Sequence, residues 1–180
     1  MDPHPTAVDG VTILRGQVVT DSRGTFHKTF HAPTFARLGL TTAWSETFWS
    51  ASSRGVVRGL HFQVPPSDQA KAVTCVHGSV YDVALDLRRA SSTYGRHVAI
   101  ELRAGDGVVL HLTRGIAHGF QALTEGAVLS YAVETIHHRE DDRGIRWDSC
   151  GIAWPLAVQT ALVSPRDQGF PALADFPSPF

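Results

Sequence analysis

Arg23, Arg58 and His118 together offer donors for a phosphate group. A guanidinium presents a planar fork of N–H donors that matches a pair of phosphate oxygens, so the two arginines are the stronger members. His61 adds a different chemistry, because an unperturbed imidazole titrates at about 6.5 and takes up a proton near neutral pH. Ten histidines are spread along the chain, and an isolated histidine on a strand is by default structural or exposed. His137 and His138 are adjacent, so on a strand they point to opposite faces and make a poor joint metal ligand. Cys75 and Cys150 lie far apart and form neither a CxxC pair nor a zinc-finger spacing. Both read as free thiols, with Cys75 buried in a strand.

These groups need a scaffold. A chain of 180 residues, 43% hydrophobic, suits one compact domain over 1–180 that buries roughly two thirds of its unfolded surface and folds without disulfides. A net charge of -1 supplies no general basic field, so nucleic acid is not an expected partner and any anion must be held by a local cluster. The opening MDPHPTAVDG has no apolar signal core, and no run approaches bilayer length. The expectation is a cytoplasmic protein with no membrane partner.

Gly and Pro punctuate the chain at short intervals, the pattern of many short strands. In YDVALDLR, Tyr81, Val83, Leu85 and Leu87 share one face while Asp82, Ala84 and Asp86 share the other. This predicts one face in a core and one carrying polar groups. HVAIELRAGDGVVLHL predicts a hairpin, since Val98, Ile100 and Leu102 alternate before Gly105-Asp106-Gly107 and Val108, Leu110 and Leu112 alternate after it. VLSYAVETIH predicts a further strand. Helix is confined to PTFARLG and a turn or two after Ser164. The fold class is all-β, a sandwich or barrel.

From about Asp21 to Asp167 the chain resembles the dTDP-4-dehydrorhamnose 3,5-epimerases. The resemblance runs through DSRGTF (21–26), SRGVVRGLHFQVPP (53–66), QAKAVTCVHGSVYDVALDLR (69–88), SSTYG (91–95), RGIAHGF (114–120), DRGIRWD (142–148), GIAWP (151–155) and SPRDQ (164–168). It implies a cupin-type jelly roll with one or two short helices, a homodimer in which an N-terminal strand packs across the partner, and a dTDP-linked keto-sugar as substrate. It also assigns roles. His61 matches the family's catalytic base. Asp167 matches the aspartate that fixes the tautomer of that histidine and stabilises its imidazolium. Lys71 matches the lysine beside the sugar C4 oxygen, where a cation would stabilise enolate charge. Arg23, Arg58, Gln69 and His118 fall near the nucleotide diphosphate. Phe26 and Trp147 are neighbours of base or sugar, or else a core residue and an anchor for the tail. Metal-binding cupins generally carry an HxH pair, a glutamate and a later histidine. His61-Phe62-Gln63 lacks the second histidine, so no metal or other cofactor is implied.

The resemblance breaks where the family places a second catalytic group, a tyrosine in a Tyr-x-Pro context. Counted without gaps from Tyr131 to Trp147, that tyrosine falls on His137 and the proline on Arg139. An imidazolium is a stronger acid than a phenol, so His137 is the expected acid opposite His61. Lys28, Phe48, Trp49 and Thr113 also stand where the rhamnose-pathway form usually has glutamate, polar residues or histidine, and proline. The function implied is epimerisation at C3, C5 or both of a dTDP-4-keto-6-deoxyhexose. The alternatives are a sugar-nucleotide binding protein of the same fold, or a changed reaction through the same enolate.

Overall fold

The computed structural model describes residues 1–157 and 160–180. Two sheets face each other. The first runs, in spatial order, β1 (Asp2–Pro5), β2 (Val11–Arg15), β10 (Val108–Leu112), β7 (Lys71–His77), β12 (Ala127–Val133) and β5 (Glu46–Ser52). The second runs β13 (Asp142–Gly144), β6 (Val56–Gln63), β11 (Ile116–Ala122), β8 (Ser79–Asp86) and β9 (His97–Arg103), with β14 (Leu162–Val163) lying parallel to β6. A separate two-stranded arm, β3 (Val18–Asp21) and β4 (Gly24–His27), leaves the sandwich. Two short helices complete the fold, α1 (Ala32–Arg37) and α2 (Pro165–Gln168), at the two places the sequence predicts them.

Between the sheets Val73, Leu110, Leu112 and Leu129 meet Val80, Ala84, Leu102 and Phe120. Each such side chain contributes about 1.5–3 kcal/mol by leaving water. The outer face of the second sheet is buried too. Leu60, Val83, Leu85 and Leu87 pack there under Ile145 and the returning tail, including Trp154, Phe176 and Phe180. On the far side, α1 brings Phe35 onto Leu14, Ala72 and Val109.

This layering corrects one sequence expectation and completes another. β8 carries polar groups on one face as expected, and that face is buried as well: Asp82, Ala84 and Asp86 are as buried as Val83 and Leu85. The Asp82 face looks into the sandwich, and the Val83 face lies beneath the tail. β9 and β10 do not form a hairpin, since β9 pairs with β8 while β10 pairs with β2 and β7 in the opposite sheet. Their apolar positions alternate as read because both strands face the same core from opposite sides. Alternation reports burial, not the hydrogen-bonding partner. Gly107 makes the crossing possible, with φ 67° and no room for a Cβ, which would sit 2.6 Å from Val18.

Candidate active site

The sandwich is open along one side, where β5 edges one sheet and β13 the other. A cavity of about 280 Å³ lies there, lined by Phe48 and Ser50 of β5, Arg58, His61 and Gln63 of β6, Lys71 of β7, His118 of β11, and Tyr131 and Val133 of β12. Gln69, His137, Asp142 and Arg166 complete its rim. Six of the sequence-selected residues therefore converge: Arg58, His61, Gln69, Lys71, His118 and His137.

His61 is held from behind. Its Nε2 lies 2.8 Å from Asp167 Oδ1, and the other carboxylate oxygen accepts the Gly59 N–H at 3.0 Å. Asp167 arrives from the opposite end of the chain on the single turn of α2, whose first N–H groups are capped by Ser164. Burial pushes the Asp167 carboxyl up, but hydrogen bonds from His61, Gly59 and Ser164 outweigh it and hold it below the usual carboxylate range. Gly59 is required by sterics as well, since a Cβ there would lie 2.5 Å from Gly119 Cα on β11. That close approach brings β6 and β11 together at His61 and His118, which pair across the ladder.

His118 has its own carboxylate. Its Nε2 lies 3.0 and 2.8 Å from the two oxygens of Asp82, and both side chains are buried. Burial holds the Asp82 carboxyl above its ordinary range in spite of His118 and the nearby Lys71. Lys71 sits in the floor of the cavity, donating from Nζ to the His61 carbonyl at 3.1 Å. Burial lowers its pKa to about 8, with Asp142 and Asp82 acting in the other direction. Below that pH the cavity holds a fixed ammonium with little water around it, where its field is strongest.

Tyr131 faces this group from β12. Its ring stacks on Phe48 at 4.8 Å and meets the edge of His118 at 5.8 Å. Burial and the charge of Asp82 raise its phenol far above the ordinary value, with Ser50 and Arg58 opposing, so it holds its proton throughout the neutral range. The sequence contained a signal for Tyr131, since on β12 it shares a face with Leu129 and Val133. Asp82 was visible only as part of the polar face of β8.

His137 is placed differently from its strand-phase expectation, because β12 ends at Val133. His137 lies in the following loop as an exposed side chain 3.1 Å from Asp142, and its N–H donates to Glu46. Arg58 lies at the other end of the cavity, donating to Ser52 and the Ala51 carbonyl. Among the described residues it pairs with no carboxylate. Gln69 accepts from the Thr135 N–H at the rim.

Besides Asp167, which stands behind His61, three selected residues lie outside the cavity. Arg23 and Phe26 lie on the β3–β4 arm, exposed, with Arg23 paired only to its neighbour Asp21. Trp147 packs beside Trp154, whose indole N–H donates to the Trp147 carbonyl. Among the described residues no group of three or more His, Cys, Asp or Glu side chains converges in a way that could hold a metal ion.

A histidine–carboxylate pair, a buried lysine and a tyrosine around one cavity of a β-sandwich are groups suited to moving protons, and the family to which the chain belongs is one of isomerase-class epimerases. The chain belongs to the dTDP-4-dehydrorhamnose 3,5-epimerase family, whose model matches residues 5–175. It is 38% identical over 175 residues to the dTDP-4-dehydrorhamnose 3,5-epimerase of Methanothermobacter thermautotrophicus, covering 96% of this chain and 94% of that protein. Among solved structures it is similar to a 4-keto-6-deoxy sugar epimerase from the novobiocin cluster of Streptomyces spheroides (37% identity, TM-score 0.92, 97% of this chain and 88% of that one). It is also similar to a 3'-monoepimerase from Streptomyces bikiniensis, solved with dTDP as a histidine and tyrosine double mutant (29% identity, TM-score 0.89, 95% and 87% covered).

Proposed function

We propose that this protein epimerises a dTDP-linked 4-keto-6-deoxyhexose at C3, C5 or both, without metal or other cofactor. The observation that carries the reading is the meeting, in one cavity, of the His61–Asp167 pair, Lys71 and Tyr131. With its Nε2–H donating to Asp167, His61 has a free lone pair on Nδ1. It takes the proton from the carbon beside the ketone, and the electron pair moves to the C4 oxygen, where Lys71 stabilises the enolate. Tyr131 then returns a proton to the opposite face. The two positions substituted in the Streptomyces bikiniensis enzyme are a histidine and a tyrosine seventy residues apart, the separation of His61 and Tyr131 here. This supports Tyr131 as the acid in place of the expected His137, which serves at the rim.

Arg58 and His118 would hold the diphosphate from within, with Gln69 near the rim. The three imidazoles lining the cavity, His61, His118 and His137, each lie on a carboxylate, in keeping with a metal-free mechanism. Incubation in D2O with a chelator present should show deuterium entering C3 or C5 of the keto-sugar with inversion. No exchange at either carbon would overturn the reading, and activity lost with the chelator and restored by zinc would overturn its metal-free part.

The reading includes a homodimer. Arg23 and Phe26 belong to an exposed arm, and a partner's cavity is a site that such an arm can complete. Light scattering should report twice the 19.5 kDa chain mass. Mixing an Arg23→Ala, Phe26→Ala variant with a His61→Ala variant should recover roughly a quarter of the native rate, because half the dimers are mixed and each mixed dimer has one intact site. A monomer, or no recovery on mixing, would count against the arrangement. We also read residues 1–180 as one domain and place the protein in the cytoplasm, in keeping with the free thiols of Cys75 and Cys150. No helix among the described residues is long and apolar enough to cross a membrane.

A further inference from the structure

We propose that Asp142 is a positioning residue that ties the base and the cation of the site together, holding α2 in place from outside the cavity and supporting the charge of Lys71 within it. The inference rests on the roles given above to His61 and Lys71. Asp142 opens β13 and lies opposite Gln63 on β6, two residues from the Gly144–His61 pair. Its Oδ2 accepts from Arg166 of α2 and from His137 of the rim loop. The rim loop just before β13 and the α2 turn well beyond it thus meet on one carboxylate.

The link to His61 runs through α2. That helix is a single turn, too short to be stable by its own hydrogen bonds, and it carries Asp167 directly after Arg166. Besides the Ser164 cap, it is held by Arg166. The guanidinium reaches Asp142 on one side and lies over the Phe170 ring at 5.2 Å on the other. Phe170 in turn meets the His61 ring edge-on at 5.7 Å and fills the space that a Cβ on Gly144 would need. Releasing Arg166 would loosen the turn that aims Asp167 at His61, and a displacement of about 1 Å at such a pair is costly to catalysis.

The link to Lys71 is electrostatic. Asp142 of β13 and its partner Arg166 line the same cavity as the Lys71 ammonium, and Asp82 of β8 is bonded to His118 of that cavity; both carboxylates favour the charged form of Lys71. His61, His118 and Tyr131 face it from β6, β11 and β12. Asp82 is bonded by His118 through both oxygens, whereas Asp142 is bonded to Arg166 and His137 through Oδ2. Removal of Asp142 favours the neutral amine.

The test separates the two links. In the native enzyme kcat/KM should fall above about pH 8 as Lys71 loses its proton. In Asp142→Asn that limb should move down by about one unit, and kcat should fall about tenfold or more. Arg166→Gln should lower kcat in the same way without moving the limb down, because it removes a cation and not a carboxylate. Labelling of Lys71 by acetic anhydride against pH, read by mass spectrometry, reports the same midpoint without any turnover. An unmoved Lys71 midpoint in Asp142→Asn, or native kcat in Arg166→Gln, overturns the proposal. Should Asp142→Asn fail to fold, the Arg166→Gln rate decides alone. Absence of exchange in the native enzyme would instead overturn the reading of function, and the labelling midpoint would still test Asp142.

Discussion

Replacing His61 with alanine is expected to slow deuterium exchange into the keto-sugar by about 10²- to 10⁴-fold, the usual contribution of a positioned general base. His61 lies in the cavity wall with Nε2 on Asp167, and among the described residues no second histidine of the cavity has a carboxylate partner on α2. The substitution removes a half-exposed ring whose neighbours Gly59 and Leu60 are held by other bonds, to Asp167 and Ile145, so the fold should survive. Binding of dTDP should remain measurable by calorimetry, because Arg58 and His118 are untouched. Exchange at the native rate in this variant would remove His61 from the mechanism. The Asp167 partner adds a dependence on acid. Its folded pKa is depressed, so the stability it contributes is present above the ordinary carboxylate range and is lost as pH falls through the folded value. Native protein should therefore lose melting temperature at low pH more steeply than Asp167→Asn.

The second large effect is expected at Tyr131. Tyr131→Phe keeps the ring that stacks on Phe48 and abuts His118 and removes only the hydroxyl. Proton removal by His61 should continue, so deuterium still enters the substrate, while inversion falls by about 10²- to 10⁴-fold. The ratio of exchange to inversion, measured by NMR in one reaction, reads this directly. His137→Phe should move that ratio far less, since His137 is an exposed rim residue on Asp142. The opposite pattern, with inversion lost in His137→Phe and retained in Tyr131→Phe, would assign the acid to His137.

Tyr131 and His137 show how far the sequence could be read. The stretch VLSYAVETIH reads as strand as far as His137, whereas β12 stops at Val133. The chain turns there because Glu134 and Thr135 are drawn to the 68–70 segment, with the Glu134 N–H on the Ala70 carbonyl and the Thr135 N–H on Gln69. Those bonds join residues more than sixty apart, and local periodicity carries no trace of them. Lys71 and Asp167 were legible because short blocks around them resemble the family, although nothing in their own spacing marks either one.

By itself the sequence determined the strand-rich class, the two short helices and the alternation of apolar positions, which are properties of residue type and short-range order: β-branched runs, glycine turns, a Ser-Pro helix start. His61 and Lys71 stood out only through the blocks that resemble the family, and Arg58 and His118 through those blocks and their capacity to donate to a phosphate. Only the tertiary structure decided which strands are partners, that the Asp82 face of β8 looks inward to meet His118, that Tyr131 shares the cavity wall with His61 while His137 lies exposed at its rim, and that Arg23 and Phe26 stand apart on an arm. The physical reason is the same in each case. A strand's pattern records that it is buried, whereas the neighbour that buries it is chosen by packing and hydrogen bonds between segments far apart in the chain.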